Sequence, residues 1–232
     1  MRFLSLPLSS KRRSVVESNV GEKIKSIMMT TRNCLREPIP EIADAARFLD
    51  EAVTAHLSGR PGDARSLIRR ADMPQLREWT ESLWGSNSPY VKFRFVEGAP
   101  PSLPKDHRIK VRMPSFTEKI ALHQREGLHC RFCGIPVIRK IVRERMKKIY
   151  PDALSWGSKN IDQHPAFQAM WLQYDHLLPH ARGGDNGLDN VLITCAPCNY
   201  GRCHHTFEEV GLSDPRLRIP VTSSWDGLER FQ

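Results

Sequence analysis

Apolar residues in the first hundred positions recur with the period of a helix. Over 40–59, Ile42, Ala45, Ala46, Leu49, Val53 and Leu57 fall on one helical face, and Gly59 supplies the stop. Two shorter helices are expected over 63–72 and 74–85, with Leu67, Ile68, Leu76, Trp79 and Leu83 turned inward. Residues 11–28 carry a fainter helical pattern with poor caps. The period then changes. Val91, Phe93 and Phe95 alternate with Lys92 and Arg94, which predicts a half-buried strand in 89–98. Pro100, Pro101, Pro104 and Pro114 make 99–114 read as a linker, with one more short strand in 107–113. Ser115 and Glu118 match the Ser-x-x-Glu capping box, which predicts a helix over 115–126 closed by Gly127.

Past the first Cys pair the pattern is helical again. Val137, Ile138, Ile141, Val142, Met146 and Ile149 form an apolar face, and Arg139, Lys140, Arg143, Arg145, Lys147 and Lys148 cover the remainder. Pro151 stops this helix, and a second is expected over 165–172. A short strand over 174–178 ends at Pro179, the turn RGGDNG follows, and a second strand runs over 188–194. A helix is expected over 199–210, then a mostly irregular tail without a site. The chain therefore divides into a mainly helical N-terminal domain (1–98), a linker (99–114), an α+β domain (115–210) with a basic helical insertion (137–172), and a tail (211–232).

Composition narrows the class. With 232 residues and 40% apolar content the chain can build one large core or two small ones. No run approaches the roughly 18 apolar residues of a membrane helix, so no membrane partner is expected. The opening residues place a short apolar patch before basic ones, the wrong order for a secretory signal. That points to the cytoplasm, where paired cysteines serve metals more than disulfides. The net charge of +9 is concentrated: residues 105–148 hold 13 Lys and Arg against 4 Asp and Glu. Such a block suits a phosphate backbone, or a solvated helix face.

The chemistry-bearing residues cluster late in the chain. Cys130 and Cys133 in HCRFCG and Cys195 and Cys198 in CAPCNYGR form two Cys-x-x-Cys pairs. Two such knuckles make one closed tetrahedral site for structural Zn2+. Between and beside them stand Asp175, His176, Asn190 and Asn199. A His of ordinary pKa can take a proton near neutral pH, and a carboxylate with an amide oxygen suits a hard divalent ion such as Mg2+ or Mn2+. Each residue also has a plainer reading: Asn190 as turn chemistry, Asn199 as a helix cap. Cys203, His204 and His205 make a further ligand-rich run without paired partners nearby.

Three blocks, REGLHCRFCG, DHLLPHARGGDNGLDNV and CAPCNYGR, stand in an order that resembles the HNH endonucleases, a family built on a ββα-metal fold. The resemblance spans about 116–210. It implies that His176 is the general base, that Asp175 and Asn199 hold one divalent metal, and that Asn190 braces the loop carrying His176. Asn199 stands where the family often has His, and the distance from Cys133 to Asp175 implies an insertion. The implied activity is metal-dependent hydrolysis of DNA, with RNA the other candidate substrate, in restriction, phage defence or mobile-element biology. Arg182 would contact phosphate, and the insertion cations Arg139, Lys140, Arg143, Lys147 and Lys148 would grip the backbone. The N-terminal domain would supply specificity, sensing or partner binding, with a homodimer also open. The competing reading is a zinc-stabilised nucleic-acid-binding protein without catalysis, or a subunit of a larger nuclease.

Overall fold

Prolines mark where most of the helices begin. In the computed structural model, which describes residues 31–85 and 87–232, α1 (Pro40–Leu57), α2 (Pro61–Arg70) and α3 (Pro74–Glu81) each start on one. The ring presets φ for the first turn, where the missing N–H has no intrahelical partner to lose. The helical pattern at 11–28 lies outside the described residues. Helix α4 (Phe116–Glu126) carries the expected capping box: Ser115 Oγ accepts from the Glu118 N–H, and the Glu118 carboxylate accepts from the Ser115 N–H. It ends at Gly127, whose φ of 65° suits glycine best.

Helix α5 (Lys140–Ile149) and helix α6 (Pro165–Ala169) follow, then strand β1 (Leu172–His176), strand β2 (Val191–Cys195) and helix α7 (Ala196–Arg202). The strands form an antiparallel pair, with Asp175 opposite Leu192 and His176 opposite Val191. The described fold is thus α+β, with a small two-stranded sheet among helices. No helix among the described residues is long and apolar enough to cross a membrane.

The partition of the core differs from the expected linear one. Arg32–Gln232 forms one compact unit. A single apolar cluster joins Leu49, Ile68 and Trp79 of the helices to Phe132, Met146, Phe167 and Ile193 of the later region. The segment expected as an insertion is the joint. Helix α3 packs on α6. His164 Nε2 donates to Ile68 O at 3.0 Å, and His56 Nδ1 meets the Tyr150 hydroxyl at 2.7 Å. Arg77 donates to Gln163 O at 2.7 Å, and Arg69 pairs with Asp152 at 2.6 Å. Gly201 permits another close approach, since a Cβ there would lie 2.9 Å from Leu83 O.

Several local expectations are corrected. Residues 89–98 and 107–113 form no strand; Val91 is buried, but Phe93 and Phe95 stand exposed. Alternation without a partner edge cannot make a sheet. The expected helix at 199–210 starts earlier, at the second knuckle, and ends where Cys203 takes a φ of 54°. The tail is structural: Leu212, Leu228 and Phe231 are buried, Arg230 pairs with Asp50 at 2.6 Å, and Trp225 donates to Val137 O at 3.1 Å.

Candidate active site and metal centre

The first knuckle turns at Gly134, with φ of 78°, where the Gly134 N–H donates to Cys130 O at 2.8 Å. The second occupies the end of β2 and the first turn of α7. Between them, the Arg131 N–H donates to Ile193 O at 2.9 Å and lays the first knuckle along β2. The Sγ atoms of Cys130, Cys133, Cys195 and Cys198 all lie within 4.8 Å of one another. All four are free thiols. Tetrahedral Zn2+ with Zn–S near ~2.3 Å needs sulfurs about 3.8 Å apart, and Cys133 to Cys195 is 3.6 Å. The donor set therefore fits a metal such as zinc. Burial pushes the Cys195 thiol well above its ordinary value; a bound cation would reverse that balance and hold it as thiolate.

Glu126 and Arg202 were not singled out by the sequence, yet they tie this region together. Glu126 is almost wholly buried at the end of α4, accepts from the Ile193 N–H at 2.7 Å and pairs with Arg125. Arg202 is 1% exposed. It pairs with both carboxylate oxygens of Asp175 and donates to Leu177 O at 3.2 Å, and to His205 O and His176 O at 2.5 Å each. The available signal was spacing: Asn199 and Arg202 are three residues apart on one helix, hence on one face.

Asp175 and His176 end β1 and point to different neighbours, as consecutive strand residues do. Asp175 meets α7 through Arg202, while His176 meets the following loop, where its Nε2 lies 3.0 Å from Asn186 Oδ1. Asn186 Nδ2 in turn donates to Val111 O at 2.8 Å. A carbonyl only accepts, so the amide nitrogen faces Val111 and the amide oxygen faces His176. Nε2 then carries the proton and Nδ1 keeps its lone pair. Among the described residues nothing hydrogen-bonds Nδ1. Burial lowers the His176 pKa below its ordinary value, against the opposing pull of Asn186 and Asp175, which favours the neutral form.

Asn190 spans the loop. Its Oδ1 accepts from the Leu178 N–H at 2.8 Å, and its Nδ2 donates to Leu178 O at 3.2 Å and to Asp185 O at 2.8 Å. Gly184 makes this possible: a Cβ there would sit 1.8 Å from Leu178 O. Asp175, His176 and Asn199 line one cleft of about 750 Å3, with Tyr200, Arg202, His180 and residues 105–113 around them.

The donor set for a second, hard cation is thin. Asn199 is half-buried on the cleft wall. The Asp175 carboxylate is already engaged by Arg202, although each oxygen retains a lone pair. Burial raises its pKa despite Arg202.

One member of the expected basic arm, Arg143, is corrected. Arg143 is 5% exposed, its guanidinium 3.6 Å from the Trp156 ring centre and 5.1 Å from that of Trp171. Trp156 and Trp171 cover this side of α5, and stacking on their aromatic faces compensates the charge. Arg139 pairs with Glu229, Lys147 donates to Trp156 O at 2.9 Å, and Lys140 pairs with Glu144 at 3.4 Å. Arg182 pairs with Glu209 at 3.0 Å and donates to Pro100 O. Of the side chains expected on phosphate, Lys148 alone is both exposed and without a partner among the described residues.

No protein-family model matches this chain, and no curated protein or solved structure matches it either.

Proposed function

We propose that this chain is a metal-dependent endonuclease of the HNH type that hydrolyses DNA phosphodiester bonds, with His176 as general base. The observation that carries the proposal is His176 itself: an imidazole at the end of β1, its Nε2 held by Asn186, its Nδ1 without a partner among the described residues, on the wall of a cleft shared with Asp175 and Asn199. The order strand, loop, strand, helix with a four-cysteine centre at the strand–helix junction supports a ββα-metal reading.

In this reading His176 Nδ1 takes the proton of an attacking water. Asn190 holds the loop after β1 and so keeps His176 in place. Asp175 and Asn199 would hold a divalent ion such as magnesium or manganese, which as a Lewis acid stabilises charge on the phosphate. A zinc held by Cys130, Cys133, Cys195 and Cys198 would have all four positions filled by thiolates and would serve the fold. One observation favours a non-catalytic, zinc-stabilised nucleic-acid-binding protein instead: Arg202 already neutralises Asp175.

Incubation of supercoiled plasmid with the purified protein separates the two readings. Nicking or linearisation is expected with added magnesium or manganese. It should stop in brief EDTA while zinc stays bound, and drop at least about 100-fold in folded His176→Ala. Full-rate cleavage in excess EDTA, or by His176→Ala, would refute the mechanism, and binding without any cleavage would favour the alternative.

A further inference from the structure

We propose that residues 105–113 form the phosphate-gripping wall of the cleft, with Lys105, Lys110 and Arg112 holding the sugar–phosphate backbone of a nucleic-acid strand opposite His176 and Asn199. The identity of the ligand rests on the nuclease reading above; the construction of the wall does not. Lys105, Arg108, Lys110 and Arg112 line the same cleft as Asp175, His176 and Asn199.

The segment has no regular structure beyond one turn at Lys105–His107, yet it is pinned to the loop after β1. The Leu103 N–H donates to Ala181 O at 2.7 Å, His180 Nε2 donates to Ile109 O at 2.8 Å, and Asn186 donates to Val111 O at 2.8 Å. Arg108 closes the turn by donating to Leu103 O at 2.9 Å. Apart from that of Arg108, these bonds use main-chain groups of the segment and leave Lys105, Lys110 and Arg112 for the cleft.

Charge accounting separates this segment from α5. Lys105, Lys110 and Arg112 are exposed, and no ion pair to any of them is found among the described residues. The carboxylates bordering the cleft are Asp106 and Asp175, and Arg202 already neutralises the second. Unpaired cations along a concave wall concentrate the field and draw in polyanions. They are spread along one segment from Lys105 to Arg112, which suits a chain of phosphates better than a single anion. The cations of α5 line no part of this cleft.

The test uses the full-length, zinc-loaded protein without added magnesium or manganese, and a short fluorescent duplex DNA titrated at several salt concentrations. Lys110→Ala/Arg112→Ala should weaken binding, and the slope of log affinity against log salt should become shallower by up to roughly 1.8, about 0.9 for each phosphate no longer neutralised. Both side chains are exposed, and zinc content with circular dichroism checks the fold. Arg145→Ala/Lys148→Ala on α5 is the comparison. An unchanged slope in the first variant, a larger change in the second, or no DNA binding by the wild type would overturn the proposal. Binding that depends on Lys110 and Arg112 without cleavage under any metal would keep the wall and remove the nuclease reading. Cleavage with binding indifferent to these residues would do the reverse.

Discussion

Arg202→Met is the most informative single change for the architecture around β1. Methionine replaces much of the aliphatic volume and removes the guanidinium. What remains is a buried Asp175 carboxylate without a counter-ion, together with the carbonyls of Leu177, His176 and His205 without this donor. Removing one partner of a buried ion pair costs about 3–5 kcal/mol, and each missing hydrogen bond adds up to about 1 kcal/mol. Because these terms overlap, a loss of about 5 kcal/mol is expected, a large fraction of the total for a typical domain. Urea titration followed by tryptophan fluorescence in zinc-containing buffer measures it, and Arg202→Lys serves if the methionine variant does not fold.

The sign of the pH dependence adds a second check. Burial already raises the Asp175 pKa above 3.8 with Arg202 in place. Without Arg202 it rises further, so the folded variant holds the proton to higher pH than the unfolded chain does. A raised folded pKa gives stability that is lost as pH increases through it. The deficit relative to wild type should therefore be greater at pH 8 than at pH 5. A loss below about 1 kcal/mol, smaller than a single buried hydrogen-bonded charge is worth, or a deficit that grows toward acid, would refute this account of Arg202.

Two other outcomes are expected. Elemental analysis of folded protein should find one zinc per chain, and Cys195→Ser should lose the metal and loosen both the knuckles and the β2–α7 junction; well-folded protein without metal would contradict the four-thiolate site. His164 is fully buried with Nδ1 lacking a partner among the described residues, and burial holds its pKa below 6.5. The unfolded chain then binds the extra proton first, so stability should fall as pH drops below 6.5, by up to about 1.4 kcal/mol per pH unit from this group. His164→Gln should flatten the difference in urea midpoint between pH 7 and pH 5, and an equal slope in both proteins would exclude His164 as its source.

Local chemistry was legible in the sequence wherever a few neighbouring residues suffice. The capping box at Ser115 and Glu118, the stop at Gly127, the two Cys-x-x-Cys knuckles and the order of β1, β2 and α7 all follow from short-range patterns. Periodicity also marked α1 to α3, because an amphipathic face records which side is buried without recording what covers it. The covering layer was decided only in three dimensions. Arg143 looks like any surface cation in sequence, yet the chain folds Trp156 and Trp171 over it and buries it.

The same holds at the site. Asp175 and His176 are adjacent in the chain, but their partners Arg202 and Asn186 come from two other segments, and Asn186 is itself held by Val111 of a third. The prolines that make 99–114 read as a linker say only that it cannot join a helix or a central strand. Its role as a wall of the cleft comes from side-chain and main-chain bonds to a loop some seventy residues away in sequence. Hydrogen-bond and charge partners are chosen by distance in space, and no local rule along the chain encodes that distance.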